Sequence, residues 1–152
     1  MHIPPPVFFA GAWLAQTILL RLRRGSGGPP AVVKASGAAV AATSLALMGG
    51  TVAMYGVAGT TVDPVRPDRA RALVVTGPNR LTRNPIYLGF AGLLTAHALW
   101  RGSAAALLPV AGFVAAMTPQ IRREEASLLA RFGGAYTEYR RRVPRWVGRP
   151  HG

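Results

Sequence analysis

The sequence predicts an all-α protein: an integral membrane bundle of about four transmembrane helices, ending in a cytoplasmic helical segment. Three observations carry that prediction. Half of the 152 residues are hydrophobic and only 15% are charged, whereas a typical soluble domain carries about 25%. The uncharged residues gather in four runs, at about residues 4–20, 35–62, 85–100 and 102–121. What remains is strongly basic, with 18 Lys and Arg against 5 acids and a net charge of +13. Such an excess suits an anionic membrane surface or nucleic acid. The apolar runs favour the membrane, and no basic groove studded with aromatics supports nucleic-acid binding. The length fits a single domain, residues 1–152. There is no cysteine, which excludes disulfides, thiolate chemistry and Cys-based zinc sites. His2, His97 and His151 are scattered, so no metal is expected.

A hydrocarbon core of about 30 Å needs roughly 20 helical residues. The second and fourth runs, of 28 and 20 residues, span it comfortably. The first and third, of 17 and 16 residues, need a polar flank, a packed neighbour or a partner copy to serve. The opening "MHIPPP" lacks the basic region of a cleaved signal peptide. The second run, with "ASGAAVAATSLALMGG", is rich in Gly, Ala, Ser and Thr. Small residues let membrane helices approach closely, which predicts a central position for this helix. With four spans, the N-terminus, the second connection and the C-terminal tail share one side and hold 13 basic residues, against 5 on the other. Both termini are therefore expected in the cytoplasm. The basic "RLRR" directly after the first run argues the other way.

Two polar stretches are left unexplained by the membrane, residues 63–84 and everything after Thr118, and both fall on the cytoplasmic side. In "RNPIYLG", Asn84 suits an N-cap, Pro85 the first helical position and Tyr87 an interfacial anchor. In "TPQIRREEASLLARFGGAYTEYRRRVPRW", Thr118 and Pro119 read as a helix start. Ile121, Leu128, Phe132, Tyr136, Tyr139 and Val143 then form one helical stripe, interrupted at Gly133-Gly134. Glu124 and Glu125 fill the gap between Ile121 and Leu128. They are either solvated or arginine-bridged, or partly buried carboxylates that call for cations or donors. The arginines suit anionic lipid headgroups, worth about 1 kcal/mol each near the surface.

Together, "GPNRLTRNPIYLG", "EEASLLARFGGAYTEY" and "RVPRW" resemble the C-terminal half of the integral-membrane methyltransferases related to isoprenylcysteine carboxyl methyltransferase and the phospholipid N-methyltransferases. The resemblance runs from about Ala70 to Trp146, half the chain. It implies an S-adenosylmethionine site built from about residues 70–90 and 118–146. Carried over residue by residue, the cofactor side is Leu73, Val74, Asn79, Asn84, Pro85, Ile86, Tyr87 and Glu124, with Glu125 beside it. Arg83, or amides at the start of the third helix, would suit the cofactor carboxylate. Gln120 stands where the family places a substrate-contacting arginine, with Arg122 and Arg123 close by. Asn84 replaces the histidine of the eukaryotic carboxyl methyltransferases, as is common among bacterial relatives, which points to a prokaryotic plasma membrane. Asn79 replaces a usual tyrosine.

The implied acceptor is a lipid or lipophilic molecule, with a carboxylate preferred because it is already ionised at pH 7 and needs no base. His97, a dozen residues into the third run, reads as a packing residue. Two rival readings stay open: an NADPH-dependent membrane reductase of the sterol-reductase type, and a non-catalytic membrane subunit.

Overall fold

The computed structural model describes residues 4–22, 28–59 and 72–149. Among them every regular element is helical: α1 (Pro5–Leu22), α2 (Ala31–Val57), α3 (Pro85–Trp100), α4 (Leu108–Phe132) and α5 (Gly134–Arg142). Short 3-10 turns precede α3 and α4 at Gly77–Arg80 and Ala104–Leu107. The protein is an all-α membrane bundle. Among the described residues three stretches are long and apolar enough to cross a bilayer: Pro5–Leu22, Ala31–Val57 and Ala104–Phe132. The shorter α3, 16 residues, coincides with the third run. The last part of the second run, residues 60–62, and the first of the site segment, residues 70–71, lie outside the described residues.

The central helix is α3 and not α2. α3 packs against α1, α2 and α4, while α2 meets only α3 and the turn at Gly77–Arg80 in any extensive way. Tyr87, Ala91 and Leu94 of α3 join Phe113, Met117 and Ile121 of α4 in the main core. Phe8, Phe9 and Ala12 of α1 close it from the side. That shelter explains how a helix of marginal length sits in the bundle, since its fit to the bilayer is set by its neighbours.

The small residues of α2 do provide a close approach, but along one seam. Its buried positions, Gly37, Ser44 and Thr51, recur every seven residues. A Cβ on Gly37 would lie 3.1 Å from the Ala96 carbonyl and 3.3 Å from the Trp100 amide. From the other side, a Cβ on Gly92 would collide with the Ser44 hydroxyl, and one on Gly89 with Met48. Ser44 and Thr51 donate back to the Val40 and Leu47 carbonyls, so neither hydroxyl is left unpaired in the seam. Beyond the seam, Val32 and Val57 are exposed.

One polar residue inside α1 locks the other side. Gln16 is fully buried, and its amide nitrogen donates to the Leu94 carbonyl at 2.9 Å and the Ala106 carbonyl at 2.7 Å. Both its hydrogens are thereby used, so its oxygen must accept from His97 Nδ1, 3.0 Å away. His97 also stacks on Trp13. Gln16→Leu keeps the volume and removes three bonds between helices, each worth about 0.6 kcal/mol in a bilayer. A loss of about 2 kcal/mol in reversible unfolding from detergent is the expected result.

The helix start expected at Thr118-Pro119 does not occur. α4 runs through it without interruption, and the Thr118 hydroxyl donates back to the Val114 carbonyl instead of capping. Proline removes one backbone donor, a loss that membrane helices tolerate where side chains and neighbours re-satisfy the freed groups. The true break is at Gly133, with φ 52 and ψ −123, a conformation open essentially to glycine alone. There the chain turns into α5, and Tyr136, Tyr139 and Val143 bury themselves against Leu73, Leu128 and Phe132. The apolar stripe is thus conserved across the break, as its spacing predicts.

Candidate functional site

The two polar segments fold into one body at the end of the bundle where α3 begins. After α5 the chain runs extended at Val143, φ −120 and ψ 129, as a residue before proline prefers. Its carbonyls then point away from any helix and need donors. The strand of side chains before α3 supplies them. Arg83 Nη1 donates to Val143 O at 2.6 Å and to Arg140 O at 3.1 Å. The Arg83 amide donates to Pro144 O, and the Thr82 hydroxyl and Asn84 Nδ2 both donate to Arg145 O. Tyr139 OH donates to Asn79 O at 2.7 Å. Asn84 does occupy the position before α3, with Pro85 first in the helix, but its side chain makes no capping bond. It holds the tail.

The adjacent glutamates meet different fates. Glu125, buried, lies between two guanidinium groups: Arg83 Nη2 is 2.8 Å from Oε1 and Arg145 Nη2 is 2.6 Å from Oε2. Carboxylate bonding raises the Arg145 pKa above its ordinary value. Four of the five Arg83 N–H groups are engaged by Glu125 and the tail carbonyls. Arg83, expected to suit a cofactor carboxylate, thus has most of its donors engaged within the protein. Glu124 accepts only from neutral donors, the Tyr87 hydroxyl and Gln120 Nε2; Gln120 Nε2 also donates to Tyr87 OH at 3.0 Å. Among the described residues no cation pairs with Glu124.

These groups surround a cavity of about 570 Å3. All ten residues singled out on the cofactor side line it: Leu73, Val74, Asn79, Arg83, Asn84, Pro85, Ile86, Tyr87, Glu124 and Glu125. Gln120 is buried behind the Tyr87–Glu124 contact. Arg122 and Arg123 are exposed and do not line the cavity. His97 is not part of it either.

The sequence reading missed the remaining walls. One is the α2 face carrying Leu45, Met48, Gly49, Val52 and Tyr55, joined by Pro5, Pro6 and Phe90. The spacing 45, 48, 49, 52 is a helical face, and Tyr55 is the sole aromatic residue of α2; together they were the available signal. The other missed walls are Tyr136 and Tyr139. Two buried polar atoms on the lining have no partner among the described residues, Asn79 Nδ2 and Tyr136 OH. Such orphans in a native fold call for an explanation. Among the described residues the cavity offers a carboxylate without a cation and donors without acceptors, beside an apolar wall. A ligand that fits it carries a positive group, acceptor atoms and a nonpolar partner or part.

A family model described as phospholipid methyltransferase matches residues 32–135, from the start of α2 into α5. An uncharacterized protein of Haemophilus influenzae is 38% identical over 63 residues, which is 41% of this chain and the whole of that protein. No solved structure matches. With most of its length under that family model, the chain belongs to the phospholipid methyltransferase family.

Proposed function

We propose that the protein transfers a methyl group from S-adenosylmethionine to a lipid or lipophilic acceptor, inside the cavity between α2, α3 and the α4–α5 segment. The observation that carries this reading is Glu124, a half-buried carboxylate on the cavity with no cation paired to it among the described residues. S-adenosylmethionine brings an activated methyl on a sulfonium, together with an α-amino cation. Glu124 offsets that positive charge, and the Tyr87 and Gln120 donors hold its oxygen in place. The residues present fit such a group, since orphaned Asn79 Nδ2 and Tyr136 OH await acceptors on the same lining. Leu45, Met48, Val52 and Phe90 give the acceptor an apolar bed that keeps water away from the reacting atoms.

A carboxylate acceptor remains the preferred reading. It needs no base, and no histidine lines the cavity among the described residues. The chain then works at the cytoplasmic face of a prokaryotic plasma membrane with both termini inside. The cavity end gathers Pro5 of α1, residues 72–90 and the arginine-rich tail, the side that the basic count assigns to the cytoplasm. The exposed arginines of the tail suit anionic lipid there.

The test is titration of S-adenosylhomocysteine and, separately, NADPH into detergent-purified protein, followed by incubation with methyl-labelled S-adenosylmethionine and a lipid extract. Binding of the first ligand alone, with label released by mild alkali as from an ester, is the expected result. Alkali-stable label would move the acceptor to an amine. Binding of NADPH alone would overturn the methyltransferase reading of this cavity.

A further inference from the structure

The cavity has a second polar wall, made of donors where Glu124 is an acceptor. Asn79 and Tyr136 are each 1% exposed, both reach the lining, and each ends in a buried donor without a partner. The two are held on one wall by Tyr139. Its hydroxyl is bonded to the Asn79 carbonyl, and its ring lies 6.0 Å from that of Tyr136. Among the charges that act on the Tyr136 phenol, the Glu125 carboxylate is the strongest, and the Arg83, Arg140 and Arg145 guanidinium groups oppose it. Burial still pushes that phenol well above its ordinary pKa, so it stays protonated and donates. A purine nitrogen or a sugar hydroxyl would satisfy the donors with ordinary hydrogen bonds, whereas a carboxylate makes the stronger, charge-assisted ones.

We propose that Tyr136 OH and Asn79 Nδ2 form the seat of the ligand carboxylate, so that the amino-acid end of the cofactor is held between this seat and Glu124. This rests on the reading that the cavity takes S-adenosylmethionine. It assigns to Tyr136 a binding role that the sequence did not suggest, and gives Asn79 a donor role that the usual tyrosine at its place would fill with a different reach. Arg83 is not part of the seat, because its N–H groups already hold Glu125 and the tail.

The experiment compares S-adenosylhomocysteine with its decarboxylated analogue, which keeps the adenosine, the sulfur and the amine. Both are titrated calorimetrically into the full-length wild type, Tyr136→Phe and Asn79→Leu, each checked for its melting temperature. Tyr136→Phe removes only an unpaired hydroxyl, so the unliganded variant melts at or above the wild type. The wild type is expected to prefer S-adenosylhomocysteine about tenfold or more, the worth of a hydrogen bond to a charged group. In both variants that preference should collapse, through loss of affinity for S-adenosylhomocysteine alone.

Equal weakening of both ligands would place the donors on the adenosine half and overturn the proposal. A preference that persists in the variants would overturn it too, moving the carboxylate to the first-turn amides of α3, which have no side-chain cap. A folded wild type that binds neither ligand would overturn the proposed function itself, and the seat with it.

Discussion

Arg83→Met is expected to destabilise the protein by about 3–5 kcal/mol, the cost of removing one partner from a buried ion pair. The Arg83 side chain is 3% exposed and that of Glu125 is 8% exposed. Without the guanidinium, the Arg140 and Val143 carbonyls lose their donor, and Glu125 is left to Arg145, which is itself partly exposed. The strap from residue 143 to 145 should then come away from the start of α3. Melting in detergent reads the stability, and limited trypsin digestion at the tail arginines reads the release.

Two companion variants separate this from general charge effects. Arg83→Met with Glu125→Leu removes both charges, and should recover much of the loss because no uncompensated ion remains. Glu138→Gln breaks the Arg142–Glu138 pair, whose side chains are 74% and 50% exposed, and should change little. If Arg83→Met melts like the wild type with an intact tail, the strap is not what holds the site together.

The contrast between those two ion pairs shows how far the sequence could be read. The stripe from Ile121 to Val143 placed both glutamates inward, and the structure does bring them to the cavity. Spacing could not say which of them would be neutralised. That is decided by Arg83 and Arg145, 42 and 20 residues from Glu125, which meet it only because the tail folds back. The bounds of α3 were legible because proline and a polar flank mark its start and Arg101 follows its end.

The place of α2 was not legible, since small residues report how closely a helix can approach and not how many neighbours it has. Its single buried seam against α3 leaves much of the rest of the helix to the cavity and to the exposed surface. Thr118-Pro119 carries the local signature of a helix start, but a helix already running from Leu108 overrides it. Gln16 was hidden for another reason. A search for charges passes over a neutral amide, and the amide proves to bridge three elements.

Glu124→Gln should do the opposite of Arg83→Met, leaving the fold intact and emptying the site of its affinity. Glu124 has no cationic partner to orphan among the described residues, and its oxygen accepts from two neutral donors. A glutamine oxygen can accept the same bonds. The melting temperature should therefore hold or rise, since a partly buried carboxylate without a countercharge is a cost to the empty protein. Ligand binding should suffer, because the carboxylate is what a positive group in the cavity would meet.

A hydrogen bond to a charged group contributes about 1.5–3 kcal/mol, which is a loss of about 10- to 100-fold in affinity for S-adenosylhomocysteine. Sinefungin carries an added amine where the cofactor carries its sulfonium, and it should lose more than S-adenosylhomocysteine, because two cations rather than one then lack their counterion. That ordering separates an electrostatic role from a change of shape, which would weaken both ligands alike. If the folded variant binds both as the wild type does, the positive end of the cofactor does not lie against Glu124. The site would then have to be built from the α3 amides and the α2 wall instead.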